Sequence, residues 1–415
     1  MKRVGMACVA LVCAMAATGV ARAEAPAKRP ITHDDVWLMS RVGSPEASPD
    51  GRWIVFSVTE PSYEDAGKVS DLWIVPADGS QPARKLTSGK AGEGDVQWSP
   101  DSTRIVFTAK REGDDESQAY VLPIGGGGEA QRVTSLVGGA SDPKWSPDGR
   151  QLLVTTRVYP GTRTEADNRK VRDERKARKY NARVYDAFPI RHWDRWLDDR
   201  QPTLVVQSLE PGAEPRDLLA GTALRSAKGF GGRLGNSGES LGATWTPDGR
   251  AVVFAATTER DQSARADVAL ALWQVSVDGG EPQRLTAEGT DYGDPAFSPD
   301  GRRLLAKAEP LSKRWVFNAT RLVAWSWPMQ GAPTEVVRGF DESVGDYDVA
   351  PDSRRVYFLA EQAGRRRLYS APIDGGPAEE VGRLQGGAYA GLSIGGEAAA
   401  PVIAANWGDA VHPAE

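Results

Sequence analysis

Residues 146–156 read Ser-Pro-Asp-Gly-Arg-Gln-Leu-Leu-Val-Thr-Thr. Proline holds φ in the range that opens a turn, an aspartate side chain bonds back to the main chain, and glycine accepts a positive φ, so the first four residues spell a tight turn. The residues after it are β-branched or aliphatic and apolar almost without alternation. That is the pattern of a strand covered on both faces, not of a strand with one wet side. The same word returns as SPDGRWIVFSV from Ser48, SPDSTRIVFTA from Ser99, TPDGRAVVFAA from Thr246, SPDGRRLLAKA from Ser298 and APDSRRVYFLA from Ala350.

Successive starts lie 51, 47, 100, 52 and 52 residues apart. Each turn-and-strand is followed by a second apolar element, such as DLWIVPADG from Asp71 or ALWQVSVDGG from Ala271, and then by a short third, such as RKLT from Arg84 or QRLT from Gln283. A unit of this length with several antiparallel strands is one blade of a β-propeller. The long gap between Ser146 and Thr246 holds only one second element, TLVVQSLEPG from Thr203, so it is read as one blade with an insertion at about 157–199. Six complete units result, and a seventh, incomplete one is expected from about residue 393. The expected fold is all-β: a seven-bladed propeller over 48–415 whose last blade is unfinished, preceded by a lead-in segment at 24–47 with a short helix.

That seventh position contains Gly391-Leu392-Ser393-Ile394-Gly395, with Asp409 and His412 downstream. The spacing G-x-S-x-G and the order Ser, Asp, His are those of a nucleophile elbow. An elbow, however, joins a buried parallel strand to a helix, whereas the flanks here are glycine-rich and β-like. The short stretches that separate Ser393 from Asp409 and His412 cannot build the strands that carry an acid and a base. The match is therefore read as a worn repeat, with Ser393 in the place of the repeat's serine, and no catalytic residue is assigned. A Ser393→Ala chain is expected to behave like the parent.

Residues 1–23 have a basic start, Lys2-Arg3, an apolar run from Val4 to Val20, and small residues at Ala21 and Ala23. This is the pattern of a secretory signal cleaved after Ala23, and a run this short and alanine-rich is a poor membrane span. An exported, periplasmic or secreted protein is expected. Both cysteines, Cys8 and Cys13, fall inside the signal, so the remainder has no disulfide and no thiolate ligand. With 56 Asp and Glu against 51 Lys and Arg, and Lys2, Arg3 and Arg22 lost with the signal, the chain is too acidic for nucleic acid to be an expected partner. Three histidines in all make a transition-metal site improbable, and the run Gly125–Gly128 lacks the Lys-Ser/Thr and helix of a phosphate loop. No metal and no cofactor are expected, and no membrane span once the signal is gone.

The Ser-Pro-Asp-Gly series resembles the propellers of TolB and of the prolyl oligopeptidase family of serine peptidases. DDVWLMSRVGSPEASPDGRWIVFSV, from Asp34, is similar to the start of the exported dipeptidyl and acylaminoacyl peptidases of that family. So is the end of the insertion, ARVYDAFPIRHWDRWLDD, from Ala182. The resemblance runs through the whole chain after the signal. It implies a propeller that precedes an α/β-hydrolase domain, covers its active site and admits only short or unfolded peptides, with the catalytic triad beyond the last blade. These 415 residues stop inside blade seven, so the hydrolase domain is expected to be absent from this chain, which then gates substrate without cleaving it. An incomplete seventh blade further implies an open or poorly closed ring prone to self-association.

The insertion holds the side chains most suited to function. Its centre, RKVRDERKARKY from Arg169, is read as a solvated charged helix or loop. Arg191, His192, Trp193, Asp194 and Trp196 are the candidate substrate-binding residues, through which the resemblance implies contact with peptide. The competing reading packs Trp193 and Trp196 between blades and pairs Arg191 with Asp194. An exopeptidase needs a carboxylate for the peptide's α-ammonium group, and Asp194, Asp198 and Asp199 are candidates. Trp98, Trp145 and Trp245 each precede a repeat turn and are read as wedges between blades. Two rival functions remain open: a non-catalytic TolB-like propeller that binds protein partners, and a propeller enzyme such as a lactonase or glycosidase, for which no distinctive constellation is present.

Overall fold

The computed structural model describes residues 29–414 apart from 65–68, 91, 181, 183, 186–187, 236–237, 264, 313–317, 383 and 385. The expected signal at 1–23 and residues 24–28 of the lead-in lie outside the described residues. The chain divides into two compact units at Met39/Ser40. In the first, a five-residue helix α1 (His33–Trp37) starts at Thr32, whose hydroxyl accepts from the Asp35 amide while the Asp35 carboxylate accepts from the Thr32 amide. These reciprocal bonds satisfy donors that a helix start leaves unpaired.

The second unit is a propeller. Blade 1 holds β1 (Arg41–Val42), β2 (Glu46–Ala47), β3 (Trp53–Glu60), β4 (Val69–Pro76) and β5 (Arg84–Lys85), with β1 and β2 together forming the inner strand against β3. Blade 2 holds β6 (Glu93–Trp98), β7 (Arg104–Ala109), β8 (Gln118–Pro123) and β9 (Gln131–Arg132). Blade 3 begins with β10 (Ser141–Trp145) and β11 (Gln151–Val158). Helix α2 (Glu165–Lys176) and the small hairpin β12 (Arg191–His192) and β13 (Arg195–Trp196) interrupt it before β14 (Gln201–Ser208) and β15 (Arg216–Asp217) complete it. A short helix α3 (Ala223–Ser226) and a second small hairpin, β16 (Arg233–Gly235) and β17 (Gly238–Ser240), lead to blade 4: β18 (Thr244–Trp245), β19 (Ala251–Ala256), β20 (Ala271–Ser276) and β21 (Gln283–Arg284). Blade 5 is β22 (Thr290–Phe297), β23 (Arg303–Pro310), β24 (Arg321–Ser326) and β25 (Thr334–Glu335). Blade 6 is β26 (Val344–Val349), β27 (Arg355–Gln362), β28 (Arg365–Pro372) and β29 (Glu379–Glu380), and the chain ends in a hairpin of β30 (Ala388–Glu397) and β31 (Ala400–Gly408).

The propeller thus has six blades, not the expected seven. Residues 388–408 pair only with each other, in a two-stranded sheet of their own. The repeat period is regular enough to mark a seventh start, but the turn after it runs from Glu397 to Ala400 without the Ser-Pro-Asp-Gly word, and no third or fourth strand follows among the described residues. The all-β reading and the single interrupted blade between Ser146 and Thr246 agree with the structure.

The unalternating strands have the cause expected of them. Ile105 and Phe107 of β7 join Val55, Leu72 and Ile74 of blade 1, while Val106 between them joins Leu152 and Val154 of blade 3. Leu153 faces Val252 and Phe254 of blade 4, Val253 faces Leu304 and Ala306 of blade 5, and Leu305 faces Val356 and Phe358 of blade 6. Each inner blade is therefore a wedge that buries both faces, and burial of this kind is the largest favourable term in folding.

Polar bonds fix the wedges in register. In five repeats the serine or threonine hydroxyl donates to the aspartate two residues on, at 2.6–2.7 Å, and that aspartate accepts from the amide two residues beyond it. Ala350 lacks the hydroxyl, and in that repeat only the Arg354 amide to Asp352 remains. Where glycine of the turn is replaced by Ser102 or Ser353, the residue keeps a positive φ and its hydroxyl accepts the amide of Asp50 or Asp300 in the preceding blade. The tryptophans act likewise. Trp98 Nε1 donates to the Glu46 carbonyl at 3.0 Å, Trp145 to Gln97 at 3.3 Å and Trp245 to Lys144 at 3.1 Å, each reaching the inner strand of the blade before it. All three are buried, as wedges between blades must be.

Trp245→Phe keeps a buried ring but removes the donor that reaches the Lys144 carbonyl of the preceding blade. Urea denaturation is expected to show a loss of about 1 kcal/mol; an unchanged midpoint would mean that the stitch adds nothing beyond the ring's burial.

Candidate functional site: the channel mouth and the blade 3 insertion

The inner strands converge on a cavity of about 780 Å3, lined among others by Asp95, Asp142, Asp294, Asp346, Lys144 and Lys307. The four carboxylates occupy one repeat position, four residues before the turn serine or its substitute. At that position the inner strand bulges, which turns the side chain out of the ladder. Asp95, Asp142 and Asp294 hold φ of +48°, +48° and +49°, and Gly242 stands at the equivalent place in blade 4 with φ +49°. Lys307 Nζ lies 2.9 Å from Asp294 and Lys144 Nζ 3.8 Å from Asp142. Burial alone would raise the Asp294 carboxyl, but Lys307 beside it, with Arg233 and Lys144, offsets this and holds it below the ordinary value. The mouth therefore presents both signs of charge, with acids in excess.

The strand registers place this mouth on the same face as the insertion. Ser141 at the start of β10 pairs with Thr155, next to the end of β11, where the insertion leaves. Arg41 pairs with Thr59 and Gly408 with Ala388, so the propeller's first and last strands also begin and end on that face. The propeller's own chain therefore enters its first strand at Arg41 and leaves its last strand at Gly408 on that face.

The insertion is pinned at its base. The Tyr159 amide donates to Asn168 Oδ1, a Thr164–Asp167 capping box starts α2, and Glu165 accepts the Val137 amide at 2.9 Å. On the outer side of α2, Arg172 and Lys176 reach Asp115 of blade 2. Asp198 is held by Arg157 and Arg200, and Asp199 by both guanidinium nitrogens of Arg175 at 2.7 Å, which keeps its carboxyl below the usual range. Asp198 and Asp199 are thus each paired with arginines of this chain.

The expected substrate-binding residues come together in the β12–β13 hairpin. Arg191 pairs with Trp196 and His192 with Arg195, leaving Trp193 and Asp194 as the two-residue tip. Trp193 holds φ +52°, a conformation that costs a non-glycine residue energy, and is 81% exposed. Trp196, at 59% exposure, touches the Tyr185 ring. Neither tryptophan packs between blades. The hairpin leans on its neighbour β16–β17, whose Glu239 and Ser240 line the cavity: Arg195 Nη2 donates to the Gly235 carbonyl of β16 at 3.0 Å. Glu239 of β17 is buried, accepts the Gly232 amide and is gripped by Arg260 at 2.8 Å through both oxygens; burial raises its carboxyl and Arg260 opposes the rise.

The structure places Ser393 at a blade seam, with its hydroxyl bonded to neither Asp409 nor His412. Its hydroxyl accepts the Ala47 amide at 3.0 Å and meets Glu46 Oε2 at 3.3 Å, at the seam where the final hairpin lies between blades 6 and 1. His412 instead faces Asp409 at 3.0 Å in a local turn and tilts against Trp407. The structure also corrects the register. The bulge in β30 falls at Gly391, with φ +57°, so Gly391 matches Asp95 and Asp142, and the place of the turn serine belongs to Gly395. A Cβ on Gly395 would sit 2.1 Å from the Ser48 carbonyl, which is why the repeat serine cannot stand there.

The gap expected at an unfinished seventh blade is occupied on both sides. Gly396 donates to the Pro49 carbonyl and Asn406 Nδ2 to Gly43 on blade 1, while the Ile394 amide donates to Asp348 Oδ2 at 2.8 Å on blade 6. Burial, then the charge of Asp348, pushes the Glu46 carboxyl up to about 8; Ser393 and Lys144 act against the rise. Burial likewise raises Asp348 to about 6 against the bonds from the Ile394 and Val349 amides. Among the described residues no group of histidine, cysteine and carboxylate side chains could hold a metal ion, and no helix is long and apolar enough to cross a membrane.

Comparison with known proteins agrees with this architecture. Residues 37–175 match the TolB beta propeller domain. A dipeptidyl-peptidase 5 of Porphyromonas gingivalis is 26% identical over 88% of this chain and 51% of its own length. The acylaminoacyl peptidase of Pyrococcus horikoshii superposes with a TM-score of 0.65 at 15% identity, over 91% of this chain and 51% of that one. The beta-propeller domain of the Trilobed protease from Pyrococcus furiosus gives 0.58 at 14% identity, over 91% of this chain and 94% of that one. The two structural likenesses speak for the fold alone. The chain spans about half the length of the peptidases it matches.

Ser393→Ala removes two seam bonds rather than a nucleophile, and it strands the Ala47 amide. Contrary to the neutral outcome expected from the repeat alone, the urea midpoint is predicted to fall by the equivalent of about 1–3 kcal/mol. An unchanged midpoint would mean that the seam does not rely on this hydroxyl.

Proposed function

Starting from a chain that corresponds to the propeller part of a prolyl oligopeptidase-family peptidase, we propose that it gates and selects peptide substrates for a serine exopeptidase releasing dipeptides or acyl-amino acids. The observation that carries this reading is the position of the channel mouth. Its carboxylates Asp95, Asp142, Asp294 and Asp346 open on the face from which the propeller's own chain ends emerge, so a catalytic half joined there would stand over the channel. The exposed hairpin tip, Trp193 and Asp194, stands at the rim, where it would meet a peptide first, with Arg191, His192 and Trp196 behind it.

Chemistry supports a peptide with a free amino terminus. An α-ammonium group entering a partly desolvated mouth needs a carboxylate partner, and Asp142 and Asp294 are bulged into the cavity with lysines that can neutralise them when no peptide is bound. Cleavage itself is assigned to the catalytic half of the peptidase and not to Ser393, Asp409 or His412. Residues 1–23 would export the chain before it meets peptides outside the cytoplasm. A TolB-like binding module without a catalytic partner is not favoured, because the relatives that cover most of the chain are named as peptidases.

Calorimetric titration with a short free-amine peptide and with its N-acetyl twin tests the reading. Asp142→Asn with Asp294→Asn is expected to weaken the free-amine peptide by roughly tenfold, about 1.4 kcal/mol, and to leave the acetylated one nearly unchanged. Equal effects on both peptides, or no binding of either to the parent chain, would contradict it.

A further inference from the structure

Five apolar clusters join blades 1 to 6 in sequence, and among the described residues none of them includes the β30–β31 hairpin. The seam that closes the ring is marked instead by polar contacts, and two consecutive residues carry the pair at its centre. Ser393 meets the Glu46 carboxyl of blade 1, and the Ile394 amide donates to the Asp348 carboxylate of blade 6. Glu46 and Asp348 occupy the same repeat position, two residues before the turn, and stand on the two sides of one hairpin.

We propose that the β30–β31 hairpin is a pH-sensitive closing strap, locked between blades 6 and 1 while the Glu46–Asp348 pair keeps a proton and released from both blades when the pair is fully ionised. This inference stands apart from the peptidase reading and needs only the seam. Two carboxylates of like charge in a poorly hydrated place repel and lack water to compensate. The other charged groups around them do not supply the missing cation. Lys144 of β10 acts on Glu46 only from a distance and lies nearer Asp142. On β6, Glu93 is taken by Arg111 and Asp95 by Thr108. On β26, Asp346 is taken by Arg366 of β28, and the Tyr347 hydroxyl donates to the Asp294 carbonyl, with Lys307 on Asp294 itself. Arg355 of β27 and Arg367 of β28 pair with Glu379 and Glu380. Glu60 of β3 and Glu397 of β30 sit at exposed strand ends, and the Tyr389 hydroxyl of β30 accepts the Leu384 amide at the far end of the strand.

The direction follows from proton affinity. Both carboxyls hold protons more tightly in the folded ring than in an unfolded chain. The seam is therefore firmest in mild acid and loosens as pH rises, first through about 6 for Asp348 and then through about 8 for Glu46. Because the apolar clusters end at blades 1 and 6, the loss should be local to the hairpin before it is global.

Hydrogen exchange read by mass spectrometry on the full chain, at pH 6 and pH 9 and corrected for the intrinsic pH dependence of exchange, tests this. Protection of 388–408 should fall by about tenfold or more while β19 of blade 4 keeps its protection. Glu46→Gln, which mimics the protonated acid, should flatten most of that response. If that variant does not fold, Asp348→Asn must shrink the fall, because it removes the like charge that helps to hold the Glu46 carboxyl protonated. Equal protection of 388–408 at both pH values, a loss shared by β19, or an undiminished response in the folded variants would overturn the proposal.

Discussion

A strand that is apolar on both faces has to be wedged between two neighbours, and this constraint orders the whole propeller. Val106 and Phe107, adjacent in one strand, feed two different cores, and the same holds for Val252 and Val253 and for Leu304 and Leu305. A row of wedges has two ends, and each end must find cover or leave an unpaired edge. The terminal hairpin supplies that cover, and serine, asparagine and carboxyl groups mark its contacts where every other interface has a cluster built on valine and leucine. The ring is thus strong along its length and chemically distinct at its join.

The channel mouth owes its character to the same repeat. A bulge in the inner strand, four residues before the turn, swings a side chain toward the axis, and in four blades that side chain is an aspartate. At Asp95, Asp142 and Asp294 the backbone takes a positive φ, which aspartate tolerates better than most residues. A conformational demand and an electrostatic one are met by a single residue type. The insertion adds a second layer: its base is fixed by Asp198 and Asp199, which frees the hairpin tip to carry an exposed tryptophan at the rim.

Much of this is legible in the sequence because turns and wedges leave local marks. The Ser-Pro-Asp-Gly words locate six inner loops, the unalternating strands announce two-sided burial, and the tryptophans before the turns are readable as wedges. The blade count is not legible, because period alone cannot say whether a degenerate unit completes its strands. Ser393 reads two residues out of place for a related reason: its hydroxyl imitates the repeat serine, whereas the bulge glycine Gly391 is the true marker and aligns with Gly242. The candidate residues Arg191, His192, Trp193, Asp194 and Trp196 do share one hairpin, but the exposure of both tryptophans is a tertiary fact with no local signature. Glu46 and Asp348 leave no mark at all, because they lie far apart in the sequence and feel each other's charge only when the ring closes.

The central claim is that the ring is closed, at a polar join, without a complete seventh blade. Because both cysteines, Cys8 and Cys13, precede Glu24, spin labels can be attached at Ser80→Cys on blade 1 and Asp374→Cys on blade 6 of a chain that starts at Glu24. Their separation, measured by double electron–electron resonance near pH 6, should form one narrow distribution that matches the closed ring. A broad or multiply peaked distribution at that pH would show blades 1 and 6 drifting apart and would contradict the account.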